Sequence, residues 1–326
     1  MKNSKPIVVI VAALVVAGIA WLVFKPGEKP KPTEFKVGIG TFSEAIDYAP
    51  FYIARHFHWF EDELKDVGVN TEPDYKQFNN FDEIQNGFAQ KKLHAFFSAE
   101  APATKLRSEK QDLRIVEVGC TLQQEVVVRA ALNITSVSQL KGKNIAVAEG
   151  TSSHYGLLRI LASAGLTGND ISLKPGFPGD AKPKFENGDV DAWAVWPPFV
   201  EEQVVAKRGT TLPGGDAKIQ SVMSLHSSVM GQQPAVDKAL VAAIQKAKKW
   251  LASNPDEAQS IIAKQLKLDT EVVKLAWPKH NWGATFSDDV LADIQEKSKF
   301  LTERGVVQNG VVVKLDDIVD KRYLQK

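Results

Sequence analysis

Short apolar runs alternate with helix-forming segments along most of this chain, and this alternation limits the possible folds more than any other feature. The clearest unit covers residues 144–165: Ile145–Ala148 is an apolar run of strand length, residues 150–153 are a turn of small residues, and a helix follows. Similar segments alternate from Phe35 to Trp196. This pattern predicts an α/β fold with mostly parallel sheets and helices on both faces.

Two such α/β groups of similar size follow one another, so we expect two lobes rather than one long sheet. Lobe 1 is predicted at residues 35–122 and lobe 2 at residues 123–222. Residues 223–326 are predicted to return to lobe 1 and to add C-terminal helices. A chain that crosses to a second lobe and returns needs two connecting segments, which we place near residues 121–128 and 221–231.

The N-terminus is predicted to attach the chain to a membrane. Residues 7–24 carry no charge and would span roughly 27 Å as a helix, close to the thickness of a bilayer core. Lysines in residues 1–6 would stay in the cytoplasm, which places the remainder on the periplasmic, extracytoplasmic face. The proline-rich residues 25–34 are predicted to be a tether. A cleaved signal peptide and a secreted chain are the alternative, because Gly18–Ala20 is a weak cleavage site.

Charge and cysteine content exclude several classes of function. The chain has 40 basic and 39 acidic residues, so nothing indicates binding to nucleic acid. Its single cysteine, Cys120, excludes an internal disulfide and a cysteine-cluster metal site. His56 and His58 are two residues apart and would point in different directions from a helix. We therefore expect neither a metal nor a cofactor.

The candidate binding site lies where the strands end, because ligands of open parallel sheets bind outside the carboxyl ends of the strands. Of the side chains in these loops, the ring of Trp196 is expected to stack on a small organic ligand. The candidate ligand-binding residues are Thr41, Phe42, Glu44, Phe78, Asn79, Glu100, Thr151, Ser152, Ser153 and Trp196.

Two charge preferences remain open for this site. Thr151, Ser152 and Ser153 open a helix, where hydroxyls and free backbone N–H groups form a seat for an anion. Glu44 and Glu100 could instead hold an amine, or act as an acid and a base. A zwitterion would satisfy both sets of residues.

Two motifs that would indicate other chemistry are incomplete. Gly38–Ser43 begins like a dinucleotide-binding fingerprint, but the third glycine is absent and Glu44 would repel a pyrophosphate. Residues 150–154 are similar to the turn that carries a hydrolase nucleophile, but His154 replaces the required glycine. The sequence therefore favours binding over catalysis, and we expect no catalytic residue.

Four segments, Ser98–Pro102, Leu140–Val147, Gly150–Tyr155 and Val190–Phe199, together resemble the nitrate/sulfonate/taurine family of ABC-transporter solute-binding proteins. The resemblance covers roughly residues 35–255. It implies a two-lobed periplasmic-binding-protein-like fold of type II that closes on a small solute. It also implies docking on a membrane permease, and through the permease an indirect partnership with an ATPase.

The resemblance also implies roles for individual residues. Gly150–Ser153 would hold the acidic head group of a solute, and Ala99–Pro102 and Asp191–Pro198 would match two further binding segments of the family. This chain has Pro197 where the family usually has aspartate, so one polar contact is missing. A binding-protein-like enzyme acting on a pyrimidine precursor, or a membrane-tethered sensor, is the alternative function.

Overall fold

The computed structural model describes residues 36–212, 214, 216–232, 235–307, 310 and 312–324. The predicted membrane anchor at residues 7–24, the cytoplasmic residues 1–6 and the tether at residues 25–34 lie outside these ranges. Within the described residues, no helix combines the length and the apolar character that crossing a bilayer requires.

Two separate sheets form the framework, which confirms the prediction of two α/β groups. One sheet has six strands in the order β11-β4-β10-β3-β1-β2, and the other has five in the order β7-β6-β8-β5-β9. The strands are β1 (Gly38–Phe42), β2 (Asp74–Phe78), β3 (Ala95–Ala99), β4 (Leu113–Gln123), β5 (Glu125–Arg129), β6 (Asn144–Val147), β7 (Ser172–Pro175), β8 (Ala192–Val195), β9 (Gly209–Leu212), β10 (Lys218–His226) and β11 (His280–Asn281).

Each sheet is mixed rather than wholly parallel. β1 pairs in parallel with β2 and β3, and β6 pairs in parallel with β7 and β8. The strands next to the crossings between the sheets run antiparallel to their neighbours: β4 and β10 in the first sheet, and β5 and β9 in the second. The parallel pairs are those built from strand, helix and strand, because that connection returns the chain in the same direction.

The chain crosses between the sheets twice. Gln124 separates β4 from β5, inside the predicted connecting segment 121–128. The second crossing follows Leu212, where β9 ends, and is complete at Lys218, where β10 begins. The prediction of a crossing at residues 221–231 is therefore wrong, and the proposed boundary between residues 222 and 223 falls within β10.

A physical reason explains the error over β10. The segment is strand-like and serine-rich in the sequence, which is compatible with an extended connection, but β10 lies between β3 and β4 and is buried along almost its whole length. Ser221 is buried there and donates a hydrogen bond from Oγ to the carbonyl oxygen of Asp47 at 3.1 Å. A small hydroxyl satisfied by backbone is compatible with a central strand.

Helices cover both faces of the two sheets. The helices are α1 (Ala49–His56), α2 (Trp59–Asp66), α3 (Phe81–Ala89), α4 (Glu100–Ser108), α5 (Ser152–Ser163), α6 (Pro178–Asn187), α7 (Phe199–Val205), α8 (Val236–Ser253), α9 (Pro255–Leu266), α10 (Thr270–Ala276), α11 (Asp288–Glu303) and α12 (Leu315–Ile318). Short 3-10 turns occur at Ile46–Tyr48, Ala130–Leu132, Val137–Leu140, Gly168–Asp170, Ser227–Val229, Trp277–Lys279 and Lys321–Tyr323.

The hydrophobic core is divided by the sheets. One face of the six-stranded sheet packs on α1, α2 and α8–α10 around Phe51 and Ile244, and the other packs on α3, α4 and α11 around Phe96 and Ile294. The five-stranded sheet is covered by α5 on one face, and by α6 and α7 around Trp193 on the other. These buried faces hold the strand ends, and the loops that follow them, in fixed positions.

Candidate functional site

A small cavity lies where loops from the two sheets meet. Its volume is about 20 Å³, room for about one water molecule, so its walls stand close together. The residues that line it are Phe42, Asp47, Tyr48, Ala99, Pro102, Thr151, Ser152, Ser153, Trp196 and Ile219. Five of the ten predicted ligand-binding residues are thus brought together here: Phe42, Thr151, Ser152, Ser153 and Trp196.

The five-stranded sheet contributes a helix start to this cavity. The chain leaves β6, turns at Gly150 with a positive φ of 73°, and enters α5 at Ser152. Thr151 caps the helix by accepting a hydrogen bond from the backbone N–H of His154. Its own Oγ1 donates to the carbonyl oxygen of Ala148 at 2.6 Å. Hydrogen bonds of Thr151 therefore connect the turn both to the helix that follows it and to Ala148 before it.

Ser152 and Ser153 carry the polar atoms of this wall. Each residue is only 1% exposed, and neither Oγ has a hydrogen-bond partner among the described residues. Leaving a buried hydroxyl unpaired costs free energy, so two such groups beside a helix start are available to a solute that accepts hydrogen bonds.

His154 supports the turn rather than adding a positive charge. Its Nδ1 accepts a hydrogen bond from the backbone N–H of Gly150 at 3.3 Å, and its ring contacts that of Phe300, with centroids 5.6 Å apart. Burial lowers the pKa of His154 to about 4. The imidazole is therefore neutral at physiological pH.

The six-stranded sheet contributes an aromatic wall. Phe42 ends β1, and its ring meets that of Phe177 edge-on across the two sheets, with centroids 5.8 Å apart. Tyr48 donates from its hydroxyl to the carbonyl oxygen of Phe42 at 3.0 Å. Trp196 follows β8 and packs against groups from both sheets, including Ile219. The cavity therefore combines apolar rings with a few polar atoms, as small-molecule sites do.

Asp47 is the polar residue of this site that the sequence interpretation missed. It lies in the 3-10 turn Ile46–Tyr48, is 3% exposed, and has no hydrogen-bond partner for Oδ1 among the described residues. Burial raises the pKa of Asp47 to about 7. The available sequence signal was an aspartate flanked by apolar residues directly before a helix that contains proline in its first turn.

Thr41 and Glu44 lie outside the cavity wall. Thr41 is buried within β1, where it pairs with strands on both sides. The chain then passes through Ser43 in the left-handed region, with φ 65°, and this turn leaves Glu44 exposed. Glu44 therefore lies outside the cavity, because the turn at Ser43 redirects the backbone.

Phe78 and Asn79 also lie away from the cavity. Phe78 ends β2 and Asn79 follows it, and β2 is the edge strand of its sheet, so this loop is displaced from the central strand ends. The ring of Phe78 packs on Phe96 in the core, with centroids 6.3 Å apart. Asn79 is exposed and accepts a hydrogen bond from the side chain of Gln77 at 3.3 Å.

Glu100 lies beside the cavity but is engaged in a buried ion pair. It is 0% exposed, contacts Nζ of Lys297, and accepts a hydrogen bond from the backbone N–H of Gln220 at 2.9 Å. Burial raises the pKa of Glu100, and the neighbouring Lys297 ammonium opposes that effect. Lys297 also donates to Asp293 Oδ2 at 2.6 Å. This carboxylate joins α4 to α11 and already has a cationic partner.

Comparisons with known proteins agree with this architecture. The model of the NMT1-like family matches residues 28–267. A putative aliphatic sulfonates-binding protein of Bacillus subtilis is 25% identical over 333 residues, covering 99% of this chain and 96% of the relative.

Solved structures share the fold. The alkanesulfonate-binding protein SsuA from Xanthomonas axonopodis pv. citri, bound to MOPS, superposes with a TM-score of 0.71 at 19% identity, covering 85% of this chain and 96% of the other. The desulfurization enzyme DszB superposes with a TM-score of 0.62 at 19% identity, covering 88% and 97%. The fold is therefore common to a binding protein and an enzyme, and only the site distinguishes these functions.

Proposed function

We propose, from the premise that this chain belongs to the NMT1-like family, that it is the solute-binding component of an ABC importer. It captures a small anion or zwitterion of the sulfonate, taurine or nitrate type in the cavity between its two sheets. It works at the extracytoplasmic face of the cytoplasmic membrane, where a permease accepts the solute and acts with its ATPase. The Bacillus subtilis relative, which matches 99% of this chain and is named as a putative aliphatic sulfonates-binding protein, supports this assignment.

One observation carries the proposal: three residues that line one cavity each carry a buried polar atom without a hydrogen-bond partner among the described residues. The atoms are Oδ1 of Asp47, Oγ of Ser152 and Oγ of Ser153. Buried polar groups in folded proteins are almost always paired, because leaving one unpaired costs about 1–3 kcal/mol. A solute that pairs all three would recover that cost.

Closure of two lobes gives the mechanism. The cavity has walls from both sheets, and the two crossings, at Gln124 and after Leu212, are short. The cavity has room for about one water molecule, so we expect the walls to separate when a larger solute enters. A solute that touches both walls has more contacts in the closed form and shifts the population toward it. The permease then recognises that closed form.

An enzymatic role is less well supported by this site. Cys120 is fully buried, and burial raises the pKa of its thiol well above the usual range, so it is not poised as a nucleophile. The carboxylate pair that would act as acid and base is also not assembled, since Glu44 is exposed while Glu100 is paired with Lys297.

Attachment to the membrane by residues 7–24 remains a further proposal, with signal cleavage and secretion as the alternative. N-terminal sequencing of the mature protein, together with fractionation of cells, separates these two outcomes. An uncleaved N-terminus in the membrane fraction supports the anchor. A start after residue 20 in the soluble periplasmic fraction supports cleavage.

A thermal-shift screen of nitrate, taurine, alkanesulfonates and pyrimidines tests the function. A ligand at a hundred times its Kd stabilises the folded state by about 2.7 kcal/mol. For a chain of this size that corresponds to a rise in Tm of several degrees. We expect such a rise with a sulfonate or an amino-sulfonate. If all of these compounds leave Tm unchanged, the proposed function is wrong.

A further inference from the structure

Helix α11 belongs to the six-stranded sheet. Ile294 of this helix packs in the core that surrounds Phe96, and Leu301 packs on Ala101 of helix α4. Helix α5 belongs to the other sheet, because Leu157 lies in the core of the five-stranded sheet. Any contact between α11 and α5 therefore connects the two sheets.

Phe300 is the residue of α11 that contacts the start of α5. Its ring meets those of His154 and Tyr155 edge-on, with centroids 5.6 Å and 5.1 Å apart. His154 and Tyr155 are buried and directly follow Ser152 and Ser153 in the first turn of α5. Edge-to-face pairs of aromatic rings are favourable beyond the area that they bury. Phe300 therefore stabilises the position of the turn that carries the two serines.

Two contacts of charged groups add to this aromatic contact. Arg159 of α5 and Glu296 of α11 form an ion pair with an Nη1–Oε1 distance of 3.7 Å. Nζ of Lys297 lies 5.4 Å from the centroid of the Tyr155 ring, within the range of a cation–π interaction. The α11–α5 contact therefore extends over two turns of α5.

Val306, in the segment after α11, continues the same contact. It packs so closely on the turn before α5 that a Cβ atom at Gly150 would lie 2.7 Å from its Cγ1. Neither Val306 nor Phe300 nor Glu296 is among the described residues that line the cavity. The contact is made by protein groups alone and does not need a solute in the cavity.

A second link between the sheets lies at the hinge. Lys279, directly before β11, pairs with Glu201 of α7 and with Glu125 of β5, and Glu125 directly follows the crossing at Gln124. Groups beside a hinge move little when two bodies separate, so this ion pair does not distinguish the two arrangements. The contact between α11 and α5 includes no residue of either crossing, so we expect opening of the sheets to break it.

We infer that α11 is a clasp that holds the two sheets in the closed arrangement, with Phe300 as the residue that positions the start of α5 against the six-stranded sheet. Contacts within the protein then favour the closed form, and a solute enters the cavity only after they are released. This inference goes beyond the proposed function, because it applies whatever solute the cavity holds.

Spin labels at Lys76→Cys and Lys174→Cys measure the closure. Both residues are exposed, and they lie on β2 and β7, the edge strands of the two sheets. Cys120 is fully buried, so the label should attach only at the two introduced positions. Double electron–electron resonance on the full-length protein without added solute gives the ratio of the closed to the open form from the distances between the labels.

Phe300→Ala should lower the ratio of the closed to the open form roughly tenfold, the value of two aromatic contacts. The exposed neighbour Lys299 provides Lys299→Ala as a control on the same helix, which should leave the ratio unchanged. Closure in Phe300→Ala to the same extent as in the wild type would overturn the inference.

Glu296→Lys tests the clasp without removing a buried group, since the side chains of Arg159 and Glu296 are 52% and 55% exposed. It places two cations together and should lower the ratio by up to about fivefold. Adding Arg159→Glu should restore the ratio, which a variant that merely folds poorly would not do. A shift that persists in the double variant would contradict the inference. No solute is used, so this failure would leave the proposed function intact.

Discussion

Lys297 and Glu100 are both fully buried and form an ion pair that links helix α11 to the first residue of helix α4. Lys297 also donates to the carbonyl oxygen of Lys218 at 2.7 Å, at the start of β10. The pair therefore ties the C-terminal helices to the strand that follows the second crossing. Glu100 stands in the chain between Ala99, the last residue of β3, and Pro102, in the first turn of α4, which both line the cavity.

Replacing Lys297 should destabilise the fold. Lys297→Met leaves the Glu100 carboxylate buried without its cation, and we expect a loss of roughly 3–5 kcal/mol in the free energy of unfolding. Urea denaturation measures this loss. The double variant Lys297→Met with Glu100→Gln should recover a large part of it. The exposed Lys299 provides Lys299→Met as a control with almost no effect. A loss below about 1 kcal/mol for Lys297→Met would show that the pair is not needed.

Removing the hydroxyl of Ser152 should weaken solute binding without harming the fold. Its Oγ has no partner among the described residues, so Ser152→Ala should change stability by less than about 1 kcal/mol and could even increase it. Affinity for the solute should fall by roughly ten- to hundredfold. Calorimetry and thermal melts measure the two effects separately.

A serine in the same helix serves as the control for this experiment. Ser163, at the other end of α5, donates to the carbonyl oxygen of Ile160 at 2.7 Å and does not line the cavity. Ser163→Ala should leave affinity unchanged. An equal loss of affinity in both variants would mean that the effect comes from the helix as a whole.

Truncating Trp196 should also weaken binding, because its ring lines the cavity and packs against groups from both sheets. Trp196→Ala is expected to raise the Kd by about tenfold or more, the usual value of an aromatic contact with a ligand, while Trp196→Phe keeps part of the contact. Titration of the three proteins with one solute checks the order. A lower Tm with unchanged affinity would assign Trp196 to packing alone.

Asp47 should make the stability of the protein depend on pH. Its pKa is raised from 3.8 to about 7, so in this range the folded state binds more protons than the unfolded state. The stability that Asp47 contributes therefore falls as pH rises from about 4 to about 7 and stays low above that. Asp47→Asn cannot ionise and should gain roughly 4 kcal/mol relative to the wild type across this window.

Urea denaturation of both proteins from pH 4.5 to pH 8 tests this dependence. Glu100, Tyr48, Tyr52 and Cys120, the titratable groups around Asp47, are present in both proteins, so their direct contributions cancel in the difference to first order. A difference in unfolding free energy that stays constant with pH would mean that Asp47 titrates as an ordinary exposed carboxylate.

Features encoded by neighbouring residues were accessible from the sequence. The strand, turn and helix at residues 144–165 follow from an apolar run, a glycine with positive φ and a capping threonine. The break before α9 follows from Pro255, because a proline in the first turn of a helix lacks only a donor that would be unpaired there. The α/β class, the helix start at Ser152 and the C-terminal helices depend on such local signals.

Features that depend on distant partners were decided by the tertiary structure. Glu100 carries a carboxylate that could bind a ligand. In the structure it instead forms an ion pair with Lys297, which lies on a helix far along the chain. Asp47 has no distinguishing motif in the sequence, and burial against two central strands makes it the one carboxyl-bearing residue among the described residues that line the cavity. The strand-like, serine-rich segment of β10 is compatible with a connection between lobes, and its pairing with β3 and β4 is what makes it a central strand. Periodicity and capping act within a few residues, whereas burial and charge pairing depend on which segments the packed core brings together.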